Sequence, residues 1–458
     1  MSKKFTAILI IIIILAALAG LYLYFFQKKP TVAPGEELGF QEFNPLGGGV
    51  TGAPREGGVT ATEEGIGKEV VTLGENGAEA EAISKPVQVS SINAAGFGIF
   101  KKIRNKTPEV INKKTKKPET EEVFLIRYAE RGNGNIFERV LNGNNTLEPE
   151  KRIAIANIPA TYDAYFTNNG NNALIRYAKE DTASATGFTI ETYNGIMPTD
   201  TQDASFVAGE LRGAFLEENI TDLSVAPDGG SVFYFAGLSS SDKTTGIILS
   251  LKDNGSTSLT TGGSTSLTTG NKTVVFESSF TEWLSQFISS KFIGITTKAA
   301  NQLPTFVYLL NTTTKTYEKI LGDINGGTAS FSPDAKKLAY NTSSLELNLY
   351  DIGTKSTKNL GVNTLAEKCS WGTNEIIYCA VPKSVSGSQP DDWYQGLVSF
   401  NDSFWKIDTK SGTTTVLFDP KDLVGSEIDG VNLKLDENQN YLFFVNKKDD
   451  NLWVYKLN

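Results

Sequence analysis

Any chemistry in this chain has to be done without imidazole, because its 458 residues include no His. That removes a Ser-His-Asp triad, a Cys-His pair and His-ligated zinc. No Gly-x-Ser-x-Gly elbow occurs either, so a serine hydrolase would lack both base and nucleophile context. What remains is carboxylate chemistry. A glycosidase needs only two carboxylates, but 52 acidic residues are too many for the sequence to single out a pair. The densest combination of useful side chains lies in the long connection Pro382 to Asp402, where Asp391, Asp392, Trp393, Tyr394 and Gln395 are consecutive. Aromatic faces stack and carboxylates accept hydrogen bonds, so this set could hold a cation, a sugar or a basic peptide. The alternative is a loop packed on the fold with its Asp side chains in water. Asp419, Asp422, Glu427 and Asp429 could gather calcium, but no loop has EF-hand spacing. No catalytic residue, metal or cofactor is therefore expected.

Charge narrows the partners. With 43 basic against 52 acidic residues the net charge is −9, which repels phosphate backbones and speaks against nucleic acid. One basic stretch runs against this trend: Lys101, Lys102, Arg104, Lys106, Lys113, Lys114, Lys116 and Lys117. It reads as a solvated hairpin or as a contact for anionic headgroups. Cys369 and Cys379 flank a turn around Gly372-Thr373-Asn374, so antiparallel strands would set them opposite or diagonal, within reach of a disulfide. An even count favours the bond in an oxidising compartment; two free core thiols are the alternative.

The elements that would position these residues begin with Phe5–Phe26, 22 residues without a charge. As a helix this spans ~33 Å, enough for a bilayer core. Ala17-Leu18-Ala19 could serve a signal peptidase, but the apolar run continues through Phe26, which favours an uncleaved anchor. Leu21 stands where a lipobox needs Cys; Lys4 and Leu9 depart from the start of a type IV pilin. Residues 1–4 are expected in the cytoplasm and residues 27–458 outside. Residues 27–85, rich in Gly, Glu, Ala, Pro and Thr, read as a flexible tether with a root-mean-square span of ~40–45 Å.

From residue 86 onward the sequence repeats. Leu125-Ile126-Arg127-Tyr128-Ala129 returns 49 residues later as Leu174-Ile175-Arg176-Tyr177-Ala178. Looser copies of a short strand, a polar turn and an apolar strand centre near residues 234, 294, 340, 378 and 444. The spacing averages about 53 residues, which makes seven units, with six or eight as the alternatives. Each unit adds a second pair of strands, such as Phe404–Asp408 followed by Thr414–Phe418. Four short strands per ~50 residues predict an all-β, seven-bladed propeller. Val232-Phe233-Tyr234-Phe235 and Tyr441–Val445 are apolar without alternation, as strands buried on both faces should be. The last unit has three strands, and Val87–Ile92 is the expected donor of the fourth.

Ser332-Pro333-Asp334-Ala335-Lys336-Lys337-Leu338-Ala339-Tyr340 and Ala226-Pro227-Asp228-Gly229 resemble the repeat of TolB-like, WD-repeat-related bacterial propellers. The resemblance covers roughly residues 87–458, with two units matching well. It implies protein or peptide binding on a face of the ring. The family also includes propellers fused to peptidases, but nothing follows the propeller in this sequence, so no peptidase half is expected. The sequence thus leads to a single-pass membrane protein whose extracytoplasmic propeller binds or scaffolds a protein, peptide or glycan of the cell envelope. A carboxylate-based glycoside hydrolase or lyase acting on envelope polysaccharide is the alternative.

Overall fold

Sheets buried on both sides need a neighbour on each side, and the chain supplies them in sequence. The computed structural model describes residues 82–106, 110–182, 184, 187–199, 201–203, 205–237, 243–251 and 272–457. The expected tail, anchor and most of the tether lie outside the described residues. Among the described residues no helix is long and apolar enough to cross a membrane.

The strands form seven sheets arranged as propeller blades, antiparallel apart from one added edge pair in the first. In chain order their first strands are Ala94–Asn105, Thr161–Thr167, Ile220–Val225, Trp283–Ser289, Ala329–Phe331, Cys369–Trp371 and Gly430–Leu435. These first strands lie innermost and are stitched to one another around the ring. Asp222 accepts from the Ser285 amide at 2.7 Å; Gln286 exchanges two bonds with the Phe331 backbone, at 2.9 and 2.7 Å. The Trp371 indole donates to the Ser330 carbonyl at 3.3 Å, and Lys434 to the Phe97 carbonyl at 2.8 Å. Between blades 1 and 2 the backbones approach so closely that a Cβ on Gly96 would lie 1.9 Å from the Ala164 oxygen. Only glycine fits there.

The second strands carry the packing. Val232, Phe233, Tyr234 and Phe235 are all fully buried. Val232 and Tyr234 pack with Leu174 of blade 2, while Phe233 and Phe235 pack with Ile293 and Ile295 of blade 4. The two-residue period of a strand therefore serves two apolar seams instead of one wet and one dry face. Each such side chain contributes ~1.5–3 kcal/mol of burial. A corresponding apolar cluster fills every one of the seven seams between successive blades.

The repeated Leu-Ile-Arg-Tyr-Ala segments occupy equivalent second strands, and their arginines do equivalent work. Arg127, buried beside Glu138, donates to the Gly170 carbonyl of blade 2 at 2.7 Å. Arg176 donates to the Ile220 carbonyl of blade 3 at 2.5 Å. Each ties its blade to the next. The Pro-Asp turns also recur structurally, with Gly229 at φ 67° and Ala335 at φ 57° in the same left-handed position.

Closure falls where the sequence places it. Val87 and Gln88 pair with Val454 and Trp453 as the outer strand of blade 7. The Val89 amide then donates to the Leu452 carbonyl at 2.7 Å, and the Leu452 amide to Ser90 Oγ at 2.9 Å. Ile83 and Val89 join the seam between blades 7 and 1. One feature departs from the four-strand pattern. Gly209–Glu210, from the connection into the last strand of blade 2, pairs in parallel with Ala154 and Ile155 as a fifth strand of blade 1. Replacing the fully buried Val89 with Ala should lower the unfolding free energy by about 2 kcal/mol in urea titrations. Val207→Ala, at a side chain 83% exposed, should change it by less than ~0.5 kcal/mol; equal effects would mean the latch carries no weight.

Candidate functional site

The connection from Pro382 to Asp402 joins the second and third strands of blade 6 and folds inward across one face of the ring. Asp391–Tyr394 forms a single helical turn. Its side chains are engaged by the fold in different directions. Asp391 accepts from the Asn301 amide at 2.9 Å, in the corresponding connection of blade 4. Asp392 accepts from the Ser388 amide at 2.7 Å. The two adjacent carboxylates are therefore each occupied by a backbone donor and do not form one acidic pair.

Trp393 is only 5% exposed and lies parallel to Phe400, with ring centroids 6.0 Å apart, in a cluster with Leu345 and Leu365. Its indole N–H donates to Asp429 at 2.9 Å, and Lys447 donates to its carbonyl at 2.7 Å. Burial pushes the Tyr394 phenol well up, and the charge of Glu367 adds to the effect. Gln395 and Leu397 face outward, Leu397 with 70% of its surface free. Val385 and, in the blade 4 connection, Leu303 are exposed on the same face.

Beneath the loop is a charge cluster that sequence reasoning missed. Lys368 is wholly buried and bridges two buried carboxylates, Asp402 at 2.9 Å and Asp429. Asp429 also accepts from the Phe400 amide at 2.9 Å and Ser399 at 3.2 Å. Asp402 accepts from the Gly430 amide at 2.6 Å, while its other oxygen has no partner. Burial pushes the Asp402 carboxyl up to about 6, against the pull of Lys368. The only available signal was an isolated charge on the approach to the first strands of units six and seven, and many surface residues share that pattern.

Next to this cluster a cleft of about 280 Å3 opens between Lys383, Asp402, Asp419, Lys421 and Glu427. Lys383 pairs with Asp419, and Lys421 with Glu427 at 2.5 Å. Three of the four carboxylates considered for calcium are thus held by lysines, Asp419 on Lys383, Glu427 on Lys421 and Asp429 on Lys368, and Asp419 also caps the helix Pro420–Val424. Among the described residues no group of three or more Cys, Asp or Glu is placed to hold a metal ion.

The innermost strands carry a second polar set. Lys434 meets solvent within the ring with protein on all sides. Scarcity of bulk water pulls its ammonium down to about 8, opposed by the charge of Asp163. Burial pushes Asp222 up to about 6, despite two bonds from Ser285. Cys369 and Cys379 are directly opposed in register, with Cα atoms 4.1 Å apart, and form a disulfide.

These features define the class: an all-β, seven-bladed propeller whose ring is closed by a strand from its N-terminal side. No protein-family model matches the chain, and no curated protein does. Among solved structures it is similar to a puromycin hydrolase mutant (TM-score 0.44, 7% identity, 70% of this chain and 48% of that one). An oligogalacturonate lyase from Vibrio parahaemolyticus gives TM-score 0.43 and 9% identity, over 79% of this chain and 98% of the lyase. The β-propeller domain of the Trilobed protease from Pyrococcus furiosus gives 0.40 and 11%, over 64% and 82%. The chain spans about half the length of the puromycin hydrolase. These likenesses transfer neither substrate nor chemistry.

Removing one partner of a buried ion cluster leaves the others uncompensated, typically at ~3–5 kcal/mol. Lys368→Met should therefore destabilise the ring by that amount in denaturant titrations. Lys383→Met, whose side chain is 39% exposed, should cost less than ~1 kcal/mol. A silent Lys368→Met would show that the cluster does not hold the loop.

Proposed function

We propose that this chain is a binding or scaffolding module displayed outside a membrane. Residues 5–26 anchor it, 27–85 tether it and 86–458 form the ring. Its partner is a protein or peptide of the cell envelope, met by the face that carries the Pro382–Asp402 loop. The observation that carries this reading is the loop's construction. Trp393 is pinned to Asp429 from below, while Gln395 and the exposed Leu397 stand outward on the same short segment. A surface ordered before its partner arrives has less entropy to lose on binding, and apolar side chains rimmed by polar ones suit a protein surface. The disulfide supports an oxidising compartment. The resemblance of the Pro-Asp turns to TolB-like propellers supports a protein or peptide ligand.

The test uses the full chain in its native membrane, with a photo-crosslinking residue at Gln395 or, on the opposite face, at Thr313. A discrete adduct should form from position 395 and not from 313. Leu397→Asp should weaken capture by about 1–2 kcal/mol, roughly tenfold, with stability unchanged within ~0.5 kcal/mol. Equal labelling at both positions would contradict the assignment of the face. Turnover of an envelope glycan by the purified chain would favour the carboxylate-based enzyme instead.

A further inference from the structure

The first two strands of blade 1 outrun the rest of their sheet. Their pairing with the third strand ends at Phe124 opposite Leu141, yet the hairpin continues through Lys102–Val123, Ile103–Glu122 and Arg104–Glu121 to Asn105–Thr120. A further bridge joins Ile111 to Pro118. Four extra residue pairs carry the ladder roughly 13 Å beyond the third strand.

The base of this projection is electrically satisfied. Lys101 pairs with Glu122 at 2.6 Å, Arg104 with Glu121 at 2.8 Å and with Glu148, and Lys106 with Glu119 at 2.9 Å. Beyond it the balance changes. Lys113, Lys114, Lys116 and Lys117 are exposed there, as is Lys102 on the stem of the hairpin, and none of the five has a carboxylate within ion-pair distance among the described residues. Beside them are aliphatic side chains that a solvated hairpin has no reason to expose: Ile103 at 67%, Ile111 at 50% and Val110 at 42%.

The projection leaves from the face at which the N-terminal segment enters the ring. Arg104 reaches Glu148 in the connection that follows the third strand of blade 1. Asn145 of that connection accepts from the Ile83 amide at 2.9 Å, just before the closing strand. Lysines with neighbouring aliphatics match a bilayer interface, where ammonium groups meet anionic headgroups and short apolar side chains enter the acyl boundary.

We infer that this hairpin is a docking element for an anionic lipid surface, which holds the ring against the membrane to which the tether leads. The inference rests on the proposed anchor only for its setting. Within reach of a tether, docking becomes an intramolecular event and needs little intrinsic affinity. Each lysine brought near an anionic leaflet is worth about 1 kcal/mol, or roughly fivefold, so the five free lysines would suffice.

The experiment places the full chain in nanodiscs of phosphatidylcholine, with or without phosphatidylglycerol, and follows amide hydrogen exchange at Ile111–Lys117. Exchange should slow about tenfold or more in the anionic discs only and return to its neutral-disc rate in 1 M salt. Substituting Lys113→Glu, Lys114→Glu, Lys116→Glu and Lys117→Glu together should abolish the slowing and leave the second strands of the blades unaffected. Identical exchange in both lipids overturns the inference. Co-elution with neutral discs reports separately on the anchor. A chain absent from neutral discs but captured by anionic ones, and released by the four substitutions, supports the hairpin while sinking the anchor. A chain captured by neither overturns both.

Discussion

Burial of each sheet on both faces is the constraint from which the other features follow. A blade whose second strand reads Val-Phe-Tyr-Phe has no face to offer water, so it needs an apolar neighbour on either side. A linear stack would leave two such faces bare at its ends. A ring leaves none, provided the last seam is as well made as the others. Here the seam between blades 7 and 1 contains Phe97, Ile126 and Tyr128 from one side and Phe443, Val445 and Val454 from the other. The chain bridges it physically as well, because residues 87–90 complete blade 7 and lead within a few residues into blade 1.

With the ring closed, polar groups become the means of fixing angle and register. Arg127 and Arg176 each cross a seam to a backbone carbonyl in the next blade. Such bonds are directional where hydrophobic packing is not. The Lys368 cluster does the same for the largest loop. Burying one ammonium with two carboxylates costs desolvation that good geometry only partly recovers. The return is position: Asp429 fixes the Trp393 indole, the Phe400 amide and the Ser399 hydroxyl at once. A loop that could have been a mobile flap becomes a fixed part of the face.

Much of this was legible in the sequence, for identifiable reasons. All seven expected second strands are present, because two-sided burial leaves an unbroken apolar run that turns and loops cannot mimic. The paired Cys369 and Cys379 follow from strand register across one tight turn. Val87 onward was recognisable as the closing strand because the last unit lacked an outer partner. The fifth strand at Gly209–Glu210 was not legible, since two residues, Gly and Glu, carry no strand propensity and are fixed by tertiary contact with Ala154 and Ile155. At the loop the residue types were noticed but their directions were not. Asp391 and Asp392, adjacent in sequence, turn to different backbone amides, and Trp393 turns inward. Lys368, Asp402 and Asp429 are far apart in the chain and ordinary in type; only the ring brings them together.

Closure can be read at single amides. The Leu452 amide donates across the latch to Ser90, and the Val89 amide donates back to Leu452. Native-state hydrogen exchange compares them with the amide of Phe233, in the buried second strand of blade 3. If residues 87–90 complete the ring, all three should exchange only through the same cooperative opening, with matching free energies and matching dependence on denaturant. Rapid exchange at Leu452 and Val89, like that of a frayed edge, with Phe233 still protected, would mean that the ring stands open at blade 7.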